Sequence, residues 1–289
     1  MASPSSFRPS SVASILPSTW LAALRASALL AVLTSALRLG FAADHNPGAF
    51  QQTSMPVSAG VSRVIVIGFL GGFVRRDDPR HPEVGLVREL RREYPTGVYA
   101  DLFENARINE AHQAILDHLK LYSERPAESS RQARILLFGH SWGASAVVRL
   151  SRKLDRDGIP VALTVLVDSV AKPFTGDGVI PPNVSEAANF YQTHGLIHGR
   201  STITAADPTH TRIIGNFRRD YKSAPAPCHQ FPWYSRLLTK GHIEIECDPD
   251  LWVEVKTLLG RYLPSESAAQ NPADVLETEG RIYQIDLDR

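Results

Sequence analysis

Short, continuously apolar runs alternate along the chain with segments of helical periodicity, and this alternation restricts the fold more than any other feature. Arg63-Val-Ile-Val-Ile-Gly68 precedes a helical stretch over 84–93 that Pro95 ends. Gly97-Val-Tyr-Ala-Asp-Leu102 precedes 108–122, where Ile108, Ala111, Ile115, Leu119 and Tyr122 fall on one face. Ile135-Leu-Leu-Phe138 precedes a helix over 144–154, and Val161–Val167 is a further apolar run. Strands that read as apolar throughout are buried on both faces. Their alternation with helices implies a mostly parallel sheet, built by right-handed crossovers and covered by helices on both sides. Shorter candidates at 189–192 and 211–215 bring the sheet to roughly six strands. A last helix starts at Asp248-Pro249, a capping residue followed by proline at the first helical position, and runs to Tyr262.

The segments outside this pattern divide the chain. Residues 1–43 carry Arg8, Arg25 and Arg38 and no acidic residue, around an apolar run from Ala26 to Leu37. That run is short for a bilayer but suits a signal peptide, with small residues following at Ala42-Ala43. The leader therefore implies export or membrane anchoring; a leader that is not a signal leaves the protein cytoplasmic. Residues 44–62 read as a polar linker, 63–263 as the folded domain, and 264–289 as a polar tail with one strand candidate at 282–287. With 43% hydrophobic residues, 21% charged residues and a net charge of +1, the chain is neither disordered nor drawn to nucleic acid.

The sharpest local signal is Gly139-His140-Ser141-Trp142-Gly143, directly after one apolar strand and opening a helix. A serine on so sharp a strand-to-helix turn needs glycine on both sides, and the turn aims helix N–H groups at its hydroxyl. This order of strand, Gly-His-Ser-Trp-Gly, helix, strand ending in Asp, and late His resembles the alpha/beta-hydrolase superfamily over about residues 63–263. The resemblance implies that fold, with a serine nucleophile, an acid and a histidine in chain order at the carboxyl ends of the strands. Residues 44–61 leave little room for the hairpin of the family's first two strands. The loop after Asp168, with Pro173, Gly176, Gly178, Pro181 and Pro182, leaves none for a large cap.

A serine hydroxyl is a weak nucleophile until a base takes its proton. Of the ten histidines, His242, in what reads as a Lys240-Gly241-His242 loop before the last helix, occupies the place the family gives its base. His229 is the alternative. Asp168 ends the apolar run at Val167, where a carboxylate is costly without a partner, and is the candidate acid; Asp207 is the alternative. The elbow supplies the Trp142 N–H for the oxyanion. By the resemblance, a second donor comes from Gly68-Phe69-Leu70-Gly71-Gly72, with Phe69 ahead of Leu70.

The implied activity is cleavage of an ester or thioester through an acyl-enzyme on Ser141. The alternatives are an amidase or peptidase with the same triad, and a non-catalytic hydrolase-like binding protein. A small-molecule or lipid-like acyl substrate is expected, in an open apolar groove drawn from Phe69, Leu70, His140, Trp142, Phe174 and Ile180. There is no HExxH and no helix-spaced histidine pair, so neither metal nor other cofactor is expected; membrane association would come through the leader. Cys228 and Cys247 bracket the His242 loop. In an exported protein a disulfide would join them; otherwise they are two unrelated thiols.

Overall fold

The computed structural model describes residues 64–264 except 73, 124–132, 172–174, 224 and 232–234, with backbone alone at 235–238. The leader, the linker, the tail and Phe174 lie outside the described residues. Among those described, no helix is long and apolar enough to cross a membrane.

The elements follow in the order β1 (Val64–Leu70), α1 (Pro82–Glu93), β2 (Val98–Glu104), α2 (Ile108–Ser123), β3 (Arg134–His140), α3 (Trp142–Arg156) and β4 (Val161–Val167). Then come β5 (Val179–Ile180), β6 (Val184–Tyr191), β7 (Thr204–Ala205), β8 (Arg212–Arg218), α4 (Ser235–Cys247) and α5 (Pro249–Gly260). Six strands form one sheet in the order β2-β1-β3-β4-β6-β8, and every pairing in it is parallel. β5 and β7 form a separate two-stranded ribbon. This α/β architecture is consistent with the alpha/beta-hydrolase fold.

β1 explains why the sheet must be covered on both faces. Val64, Val66 and Leu70 enter a core with Val84, Val87 and Leu90 of α1 and Leu251, Val255 and Leu259 of α5. Ile65, Ile67 and Phe69 enter a second core, with Ala111 and Ile115 of α2 and Val147, Leu150 and Leu154 of α3. Alternate residues of one strand thus feed both layers, as strand geometry requires. Ile180 is fully buried in the second core, so it is not available to line a groove.

The sequence pattern missed two features. The ribbon strands are only two residues each, too short to carry a period. Lys240-Gly241-His242, which reads as a loop in the sequence, lies in a helix over 235–247 with a kink at Thr239 (φ −117°, ψ 20°). Glycine is needed there for packing: a Cβ at Gly241 would lie 2.4 Å from Gln192 Oε1 and 2.7 Å from His194 Cβ.

Gly143 permits the close approach of α3 to β1, since a Cβ there would lie 2.1 Å from the Phe69 carbonyl oxygen. Gly143→Ala should therefore destabilise by at least about 2 kcal/mol through overpacking against backbone. Gly85→Ala, at an exposed position of α1 with nothing within 4 Å of the new methyl, should stabilise by about 0.5–1 kcal/mol. Thermal unfolding of the two variants checks both signs.

Candidate active site

The nucleophile candidate sits where β3 turns into α3. Ser141 is the N-cap of α3, with φ 57° and ψ −124°. Among the described residues, Ser141 and Asp168 (φ 44°) are the non-glycine residues with positive φ. Such backbone costs about 1–3 kcal/mol per residue and persists only where surrounding contacts impose it. Here they are backbone hydrogen bonds between strand ends. The Ser141 N–H donates to the Val167 carbonyl at 2.9 Å, the Val170 N–H donates to the Ser141 carbonyl at 3.2 Å, and the Asp168 N–H donates to the Phe190 carbonyl at 2.7 Å.

The structure brings Ser141, His242 and Asp168 together. His242 Nε2 lies 2.8 Å from Ser141 Oγ, and His242 Nδ1 lies 2.7 Å from Asp168 Oδ2. An ionised carboxylate only accepts, so the imidazole proton belongs on Nδ1, and Nε2 is left to accept from the hydroxyl. Asp168 is fully buried and takes further bonds that the sequence did not reveal. Gln192 donates from Nε2 to Oδ2 at 2.8 Å and from its backbone N–H to Oδ1 at 3.2 Å, and the Gly199 N–H donates to Oδ1 at 2.7 Å. Burial alone pushes this carboxyl up; the His242, Gln192 and Gly199 donors outweigh it and hold Asp168 below the usual carboxylate range. Gly199 must be glycine to approach this closely, because a Cβ there would lie 2.3 Å from the Asp168 carbonyl carbon.

The two alternatives lie elsewhere. Asp207 accepts from the Thr209 N–H at 2.8 Å and pairs with His210 Nδ1 at 2.8 Å in an exposed turn. His229 is exposed.

The turn after β1 brings a glycine beside the serine. Phe69 is inside β1, paired with Phe103 and Gly139. Continuing the Phe69–Gly139 register by two residues sets Gly71 opposite Ser141, and an ideal Cβ on Gly71 would lie 3.2 Å from Ser141 Cβ. Gly71 therefore stands beside Ser141, two residues beyond Phe69. Asn105 Nδ2 fastens this turn by donating to the carbonyls of Gly71 at 3.2 Å and Gly72 at 2.5 Å. Trp142 opens α3, so its N–H belongs to the helix end where the dipole is positive. The Phe69 and Leu70 side chains are fully buried in the two cores and do not form a groove. His140 is buried as well and stacks on His242, with ring centroids 4.7 Å apart. Burial lowers its pKa to about 4, so at neutral pH it backs the site as an uncharged ring.

No family model matches the chain, and no curated protein matches it. Among solved structures, it is similar to the RedJ thioesterase from the prodiginine biosynthetic pathway of Streptomyces coelicolor. That likeness has 12% identity and a TM-score of 0.35, over 76% of this chain and all of the other. A RedJ structure with a polyethylene glycol molecule in its active site gives 12% identity and a TM-score of 0.32, over 63% of this chain and 94% of the other. Likenesses this distant carry no argument about the reaction.

Cys228 and Cys247 are joined by a disulfide across 19 residues, with Cα atoms 5.4 Å apart. It ties the last residue of α4, the helix that carries His242, to the segment before it. Closing a loop of this length contributes about 3 kcal/mol. Unreduced, denatured protein should show no reactive thiol and reduced protein two; two thiols before reduction would mean that the bridge does not form in solution.

Proposed function

We propose that the protein is a serine hydrolase that cleaves an ester or a thioester through an acyl-enzyme on Ser141. The reading is carried by the continuous hydrogen-bonded line from Asp168 through His242 to Ser141, at 2.7 and 2.8 Å. Ser141 Oγ attacks the acyl carbon while His242 Nε2 takes the hydroxyl proton. Asp168 holds the ring in the tautomer with Nδ1 protonated and stabilises the imidazolium that forms. The negative charge on the former carbonyl oxygen is met by the N–H groups of Trp142 and Gly71, a type of contact worth about 3 kcal/mol per donor. The tetrahedral intermediate collapses, and His242 returns its proton to the departing alcohol or thiol. Water then repeats the sequence on the acyl-enzyme and releases the acid.

The strained backbone at Ser141 and Asp168 supports this reading, because strain of this kind gathers where a side chain must be aimed. A fluorophosphonate probe should label the protein once, and Ser141→Ala should abolish the labelling. Labelling that persists on another residue, or none on the native protein, sinks the assignment. A panel of p-nitrophenyl esters, acyl thioesters and anilides separates esterase, thioesterase and amidase.

The acid is tested separately. Asp168→Asn should lower turnover by about four orders of magnitude, as in the serine protease template, because the amide favours the wrong imidazole tautomer. Asp207→Asn should leave turnover nearly unchanged. Equal losses in the two variants would count against Asp168.

A further inference from the structure

A second cluster of chemistry-bearing side chains lies behind the catalytic histidine, on the side away from Ser141, and the hydrolytic reading makes no use of it. His81 is the N-cap of α1 and Glu83 stands in its first turn. Glu246 lies on α4 one helical turn beyond His242, on the same face. His81 Nδ1 is hydrogen-bonded to Glu246 Oε1. One donor atom from each of His81, Glu83 and Glu246 falls within 4.8 Å of the other two. His140 Nδ1 borders the same space, 3.7 Å from Glu246 Oε2 and 3.9 Å from Glu83 Oε1.

Glu83 is the anomaly. It is fully buried, and among the described residues neither of its carboxylate oxygens has a hydrogen-bond partner. A buried carboxylate needs a counter-charge. Protonation removes the charge but still leaves both oxygens unsatisfied, so the carboxyl is short of a ligand in either state.

We propose that His81, Glu83 and Glu246 form a binding site for a divalent transition-metal cation of the zinc class. One imidazole with two carboxylates suits such an ion, whereas calcium and magnesium prefer all-oxygen shells. Donors at ~2.0–2.1 Å from a tetrahedral ion are roughly 3.3 Å apart. The donors here lie within 4.8 Å of one another and would close by up to roughly 1.5 Å, with His81 and Glu246 parting to admit the ion. His81 Nε2 lies 3.8 Å from Asp78 Oδ2, too far for a hydrogen bond, and Asp78 is engaged by the Arg80 guanidinium. The His81 ring also packs edge-on against Phe231, with centroids 5.4 Å apart. The bound ion would join the start of α1 to α4 one turn from His242, and so act as a positioning element. The site does not depend on the hydrolytic reading.

The full chain, purified without a histidine tag, is stripped with chelator and titrated with Zn²⁺ by calorimetry and with Co²⁺ by visible absorption. One equivalent should bind, with Co²⁺ bands of a low-symmetry N/O site. Glu83→Gln and Glu246→Gln should abolish that equivalent. Asp207→Asn, in an exposed turn outside the cluster, keeps all three ligands and should leave that equivalent unchanged. Circular dichroism and thiol counting report whether each variant is folded. Failure of the folded native protein to take up either ion, or uptake unchanged in folded Glu83→Gln and Glu246→Gln, overturns the proposal in favour of a hydrated, proton-sharing cluster.

Discussion

The carboxylate of Asp168 is the point on which the rest of the site depends. It is removed from water, where an unpaired charge is too costly to keep, and it accepts from His242 Nδ1, from the Gln192 side chain and backbone, and from the Gly199 N–H. Those donors come from α4, from the chain just after β6 and from the loop that leads to β7. One buried charge thus fastens several separate segments to the carboxyl end of β4. Loss of any one donor leaves the others around a carboxylate that is less well compensated, so the network behaves as a unit.

Parallel pairing makes this convergence possible. In a parallel sheet all carboxyl ends lie along one edge, so Gly71 after β1, Ser141 after β3, Asp168 after β4 and Gln192 after β6 are neighbours without any long excursion of the chain. Tight hydrogen bonds between those ends hold Ser141 and Asp168 at positive φ. Small residues do the rest: Gly143 lets α3 descend onto β1, and Gly199 and Gly241 let backbone come close to Asp168 and Gln192. The rear of His242 is closed by the His140 ring, and behind that lies the His81, Glu83 and Glu246 cluster.

Much of this was legible from local pattern. The apolar runs around 65, 99, 136 and 164 became β1, β2, β3 and β4 of the sheet, and Gly139 to Gly143 became the turn that lifts Ser141. Asp168 was visible as a charge ending a buried run. Where reading failed, a residue's local signal and its packing role pointed in different directions. Gly241 resembles a loop residue but serves as a thin place in a helix. Phe69 reads as part of the glycine-rich loop after the strand but is the next-to-last residue of β1, and the ladder register, not the glycine content, sets Gly71 opposite Ser141.

The sequence by itself determined the layered parallel architecture and the elbow, because these follow from periodicity and glycine placement over a few residues. The tertiary structure alone decided the partners. His242 meets Asp168 across 74 residues and Ser141 across 101, and His81 meets Glu246 across 165. No spacing rule reaches over such separations. Gln192 and Glu83 look like ordinary polar residues in the sequence, and only the fold makes the first a donor to buried Asp168 and leaves the second a buried carboxyl without a hydrogen-bond partner among the described residues. Local pattern fixes which face of an element is apolar; the cost of dehydrating a polar group is set by what the rest of the chain folds over it.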